Sequence, residues 1–177
     1  KIIFDEDPMN KTIQEGFFKN GHLEGKGISK EYSGNKLYTL KEGEFKKGLL
    51  NGKGRTEQKQ FYQLVCEGNF VNDKLNGLGK KIYDGGLMIE EGNFKNGYLS
   101  GKGKIINKRK KRDTDYEEGI FVYTGNFISY LSNGMRKLKD GTIEKGSFKT
   151  QYKQNDDDYK VILKKGIRIV NGKETKV

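Results

Sequence analysis

The chain has 177 residues, 32% of them hydrophobic and 33% charged, with a formal net charge of +11, which suits one thin-cored domain or one stretch of a larger protein. No run reaches the roughly 18 apolar residues of a membrane span, and a single cysteine, Cys66, excludes an intramolecular disulfide and gives no metal cluster. Twenty-five glycines beside one proline exclude collagen and proline-rich linker and predict tight turns between short strands.

Residues 1–12 open with KIIF followed by acids and read as a lead-in strand. A repeat begins at residue 13. The stretch "EGFFKNGHLEGKG" at 15–27 recurs as "EGEFKKGLLNGKG" at 42–54, "EGNFVNDKLNGLG" at 67–79 and "EGNFKNGYLSGKG" at 91–103. Two weaker copies follow, "TGNFISYLSNGMR" at 124–136 and "KGSFK" at 145–149. With the first glycine of each copy as origin, Gly16, Gly43, Gly68, Gly92, Gly125 and Gly146 are spaced by 27, 25, 24, 33 and 21 residues. Such a period is one supersecondary unit per copy.

Two positions after every origin stands a phenylalanine: Phe18, Phe45, Phe70, Phe94, Phe127 and Phe148. Three before it stands an aliphatic: Ile13, Leu40, Val65, Ile89, Val122 and Ile143. In the first four copies Leu23, Leu50, Leu75 and Leu99 follow at plus seven, and a glycine pair at plus nine and plus eleven. Residues two apart on a strand share a face, so Gly and Phe lie on one side of a sheet and the aliphatic on the other. "KNG", "KKG" and "VND" supply the positive φ of a tight hairpin turn. Each copy is therefore one β-hairpin, and the repeated glycine pair predicts a systematic bend that makes an elongated, twisted sheet.

The block Gly-x-Phe-x-x-Gly-x-x-x-Gly-x-Gly resembles the MORN (membrane occupation and recognition nexus) repeat over roughly residues 13–149. The resemblance implies an all-β fold: an elongated single-layer antiparallel β-meander of six to seven hairpins, with a groove lined by aromatics. Arrays of this family act as scaffolds in ciliary radial-spoke and cytoskeletal proteins, junctophilins and phosphoinositide kinases, and precede the catalytic region of a histone methyltransferase. Family repeats often place Tyr two before the origin, where this chain has Gln14, Lys41, Cys66, Glu90, Tyr123 and Glu144. The expected partner-binding face is thus Phe18, Phe45, Phe70, Phe94, Tyr123, Phe127 and Phe148.

The longest gap between copies holds a basic insert, 104–118, with five consecutive cations: Lys108, Arg109, Lys110, Lys111 and Arg112. A run this short is most often a solvated hairpin tip. Its functional reading is contact with an acidic partner or phosphoinositide membrane, since each such charge contributes roughly 1 kcal/mol at an anionic surface. Nucleic acid ranks last, because aromatics do not interleave with the run. Residues 150–177 read as a degenerate capping hairpin, with Asp156–Asp158 a solvated loop lacking the ligand spacing of an EF-hand.

No catalytic set emerges. A dinucleotide loop needs glycine where the chain has Lys30, Glu57, Ile82 and Ile106, and "GLLNGKG" lacks the Walker spacing. His22 and Cys66 fall in separate copies. The sequence therefore points to a cytoplasmic, non-enzymatic scaffold without cofactor or metal. It would bind protein partners through its sheet in a cytoskeletal or ciliary assembly, with end-to-end self-association open to it. Two alternatives stand beside this: phosphoinositide attachment through the basic insert, and an accessory repeat region of a larger enzyme.

Overall fold

A computed structural model describes residues 2–7, 10–59, 62–110, 113–124, 129–152 and 159–177. These residues form fourteen β-strands and one three-residue 3-10 turn, with no α-helix among them. The chain divides into two compact units, Lys1–Gly86 and Leu87–Val177. The first holds β1 (Ile2–Asp7), β2 (Asn10–Lys19), β3 (His22–Ser33), β4 (Lys36–Lys46), β5 (Leu49–Gln58), β6 (Leu64–Val71) and β7 (Lys74–Tyr83). The second holds β8 (Met88–Lys95), β9 (Tyr98–Asn107), β10 (Thr114–Tyr123), β11 (Ser129–Leu138), β12 (Ile143–Tyr152), β13 (Tyr159–Val170) and β14 (Lys173–Lys176).

Within each unit every strand pairs antiparallel with its neighbours in the chain, which is the all-β meander expected. The turns are of the kind that two positive φ values build: Asn20-Gly21, Lys47-Gly48, Asn72-Asp73, Asn96-Gly97 and Asn171-Gly172. Their backbone twist matches that of the strands they join.

The origin glycines form a continuous ladder. Gly16, Gly27, Gly43, Gly54, Gly68 and Gly79 stand opposite one another across β2 to β7. Gly92, Gly103, Gly119, Gly134, Gly146 and Gly166 do the same across β8 to β13. At Gly68, whose φ is +142, an added Cβ would lie 2.5 Å from the Gly79 Cα and 2.5 Å from the Leu78 carbonyl oxygen. Backbones approach there more closely than a side chain permits. The other glycine of each pair has a different task. Gly77, at φ +93 with only Asn69 near it, sits where the β6–β7 register slips between Gly68 and Phe70. Such a bulge bends the strand and sharpens its twist.

The bend lets one face close on itself. Phe45, Phe70 and Phe94 are each 3% exposed, and their hairpin partners Leu50, Leu75 and Leu99 are no more than 2% exposed. Each leucine lies over the second glycine of its own pair; an added Cβ on Gly79 would meet Leu75 Cδ2 at 2.9 Å. Burying a Leu in each repeat hairpin, and a Phe in each after the first, contributes about 2 kcal/mol per side chain and holds a sheet that has no second layer.

The structure corrects the register of the last copies. The fifth ladder glycine is Gly119, not Gly125, and its phenylalanine is Phe121, 1% exposed. Origins then run 27, 25, 24, 27 and 27 residues apart. The string "TGNF" copies earlier "EGNF" literally, but "EGIF" at 118–121 occupies the ladder. Gly125 and Phe127 lie outside the described residues. The sixth copy also runs past residue 150: β13 is its return strand, pairing Phe148 with Leu163 and Gly146 with Gly166. A capping hairpin confined to 150–177 thus gives way to a full repeat followed by β14. The insert shrinks as well, because β9 continues to Asn107 and β10 starts at Thr114.

Candidate functional site

Two faces are available to a partner. The inner face carries the glycine ladder, and next to it a column two residues from each ladder glycine. In the first unit the column reads Gln14, Ser29, Lys41, Thr56, Cys66 and Lys81. In the second it includes Glu117, Arg136, Glu144 and Arg168. With Gly119 as the fifth origin, the position given to Tyr123 belongs to Glu117. The aromatic groove implied by the resemblance is here a polar and ionic one.

This column is braced. Lys41 Nζ lies 3.0 Å from Asp73 Oδ2 and 3.4 Å from Glu31 Oε1. Asp73, in the next hairpin turn, also accepts the Leu50 N–H at 2.8 Å, so one carboxylate ties a turn to the preceding repeat. Burial alone would lower the Lys41 pKa. The Asp73 hydrogen bond and the charges of Glu31 and Asp73 more than offset it, and the ammonium is held above its ordinary 10.5.

In the second unit Glu144, 1% exposed, sits between two guanidinium groups. Arg136 Nε and Nη2 each stand 2.6 Å from Oε2, while Arg168 Nε and Nη2 stand 2.8 and 2.7 Å from Oε1. Arg136 also donates to the Val161 carbonyl at 2.9 Å, and its guanidinium carbon lies 4.9 Å from the Phe148 ring centre. A carboxylate saturated in this way serves structure rather than acid–base chemistry.

Of the expected partner-binding side chains, Phe45, Phe70, Phe94 and Phe148 are buried and act as core. Phe18 is half-buried, since among the described residues β1 pairs with β2 no further than Gln14. Phe127 lies outside the described residues. Tyr123 stacks on Tyr98 with ring centres 4.5 Å apart and planes 3° apart. Burial, then the charge of Tyr123, pushes the Tyr98 hydroxyl pKa up. Phe121, Leu131 and Leu163 belong to the inner face without having been expected there. Only Phe121 carries a local sign, the string EGIF.

In the basic run Lys108 and Lys110 are exposed and Arg109 is half-buried, while Lys111 and Arg112 lie outside the described residues. The Arg109 N–H donates to Asn107 Oδ1 at 3.0 Å, and its carbonyl accepts from Lys139 Nζ. Lys139 N–H in turn bonds the Asp113 carbonyl at 2.9 Å, so the β11–β12 turn is fastened to the insert. His22 and Cys66 are on strands three steps apart, about 14 Å at the usual strand spacing. Among the described residues no three His, Cys, Asp or Glu gather as a metal site, and no helix is long and apolar enough to cross a membrane.

The model of the MORN repeat matches residues 15–35, 42–57, 66–88 and 91–106, hairpin by hairpin in step with the ladder. The chain carries MORN repeats. No curated protein matches the chain. The MORN geometry continues past residue 106, because β10 to β13 carry Gly119, Gly134, Gly146 and Gly166 in the same ladder. The later repeats replace the glycine pair with one glycine three residues after Leu131 or Leu163, which moves the bulge and hides the motif.

Proposed function

We propose that the chain is a non-enzymatic scaffold that binds other proteins through its MORN sheet, in a cytoskeletal or ciliary assembly of the cytoplasm. The observation that carries this reading is the repeat itself. Phe and Leu in successive hairpins, closed over a glycine ladder, use the inner face for cohesion and leave a long outer face to solvent. Repeat arrays of this kind offer extended surface for large partners. The separation of His22 from Cys66 and the saturation of Glu144 by two arginines favour binding over catalysis.

The test is affinity capture from native extract with lysine crosslinking. A partner held at fixed stoichiometry, with crosslinks mapping to strands, supports the scaffold; turnover of a substrate by the purified chain overturns it. A second reading, attachment to an anionic phosphoinositide membrane, is favoured by one observation: Lys139 is fastened beside Lys108–Lys110 and enlarges that basic edge. Flotation with phosphoinositide vesicles would show salt-sensitive binding, reduced by Lys108→Glu with Lys110→Glu. Flotation equal with neutral vesicles would sink it. The third reading, an accessory array attached to a catalytic domain, is decided by the complete reading frame.

A further inference from the structure

The outer face of the first unit carries an unusual trio. Leu49, Val71 and Leu78 are 40%, 48% and 65% exposed, on the consecutive strands β5, β6 and β7. Pairing fixes their side of the sheet. Lys46 opposite Leu49 follows the buried pair Phe45 and Leu50, and Val71 opposite Lys74 follows the buried pair Phe70 and Leu75. Alternation therefore turns Leu49, Val71, Lys46 and Lys74 outward. Leu78 precedes Gly79, which Leu75 covers from the inner side, so Leu78 points outward too.

The surroundings of the trio are cationic. Lys46, Lys53 and Lys74 are exposed and make no ion pair with any described residue. In the adjacent outer row, by contrast, Arg55 Nε bonds Glu67 Oε1 at 3.2 Å, so that charge is already matched. Glu42 and Glu44, on β4, are the exposed acids of this border.

We propose that the outer face of β5, β6 and β7 docks an acidic amphipathic helix of a partner protein. This rests on the reading of the chain as a protein-binding scaffold and names the surface and the partner chemistry. Gly52 pairs with Phe70, so Val71 stands level with Asn51 and Leu49 lies two residues further along, while Leu78, beside Gly79, lies about two residues the other way. The trio is therefore a diagonal row with steps of about 8 Å and a total of about 17 Å. A helix laid along that diagonal advances about 6 Å from i to i+4, about 10.5 Å from i to i+7 and about 16.5 Å from i to i+11. Its apolar stripe therefore spans the row, with i and i+11 over the end aliphatics and i+4 and i+7 on either side of the middle one. An extended segment presents same-face side chains at about 6.8 and 13.6 Å and falls short of the row. Acids flanking that stripe reach Lys46, Lys53 and Lys74. A bilayer is the less suitable occupant, because these side chains lie on the sheet face and not on a protruding loop.

The experiment uses the full chain and a fluorescent helical peptide of about three heptads with a leucine stripe flanked by glutamates, read by anisotropy. The expected result is binding that weakens with salt, because exposed charges are screened. The double variant Val71→Ser with Leu78→Ser should lose at least about tenfold in affinity, and Lys46→Glu with Lys74→Glu a similar factor. All four side chains are exposed, so unchanged circular dichroism should confirm the fold. Equal binding by wild type and variants overturns the proposal, as does binding only to phosphatidylserine vesicles. Capture of a native partner that crosslinks elsewhere on the sheet overturns this surface while leaving the scaffold reading in place.

Discussion

At the scale of single residues, glycine at one position is not equivalent to glycine at another. Gly68→Ala places a Cβ 2.5 Å from backbone on the facing strand at a φ of +142, so strain and collision add. Its cost should be about 3 kcal/mol. Gly21→Ala, at φ +77 with nothing within 4 Å, carries only the left-handed penalty of about 1 kcal/mol. Urea denaturation of the two variants checks the difference; equal losses would mean that close approach does not set the ladder. Glycine spacing in the sequence foretold the hairpins and the Phe face, because each origin repeats in literal form. It misplaced the fifth origin because a string match weighs Gly125 like Gly119, whereas cross-strand backbone contact selects Gly119. Contacts between strands leave no local trace, which is why Tyr98 on Tyr123 and Leu163 on Phe148 were not readable.

At the scale of the strand pair, the two units stiffen the inner face in different ways. Glu144 joins β11, β12 and β13 through Arg136 and Arg168. Glu144→Gln leaves Arg136, 7% exposed, without its counter-charge, and should cost about 3–5 kcal/mol. Arg168→Ala should cost much less, since its side chain is 46% exposed. Thermal denaturation of both variants decides; an Arg168→Ala loss as large as that of Glu144→Gln would mean the triad does not act through burial. The Lys41 brace to Asp73 and Glu31 is the counterpart in the first unit. Because the folded pKa of Lys41 is raised, its stabilisation is fully present below the ordinary 10.5 and is lost as pH rises through the higher folded value. Lys41→Met should therefore be less stable than wild type by about 1 kcal/mol at neutral pH, and the gap should close only in strongly alkaline buffer. A gap that closes between pH 6 and 8 would rule this out. Neither brace could be read from sequence, since Lys41 and Asp73 are 32 positions apart and meet only through the register of three strands.

At the scale of the whole molecule, the ladder pairing is local: among the described residues of each unit a strand's backbone ladder runs with the strand before and the strand after it. Stability in such an array is close to a sum of repeat terms and nearest-neighbour terms, and damage should spread only as far as the neighbours. Leu75, 2% exposed, pairs with Phe70 and covers Gly79. Leu75→Ala leaves a void there and should cost about 3 kcal/mol. Hydrogen exchange followed by mass spectrometry should then show faster exchange in β6 and β7, a smaller rise in β5, and unchanged protection in β11 to β13. Uniform acceleration across both units would instead mean that the chain unfolds as one cooperative body. The graded outcome has a consequence for binding. A partner helix lying across β5 to β7 would fasten three strands whose mutual stability is otherwise only the sum of adjacent pairs, so its binding should slow exchange most in the strands it spans. Ligand-bound exchange therefore reads the docking surface and the one-dimensional character of the fold in a single measurement.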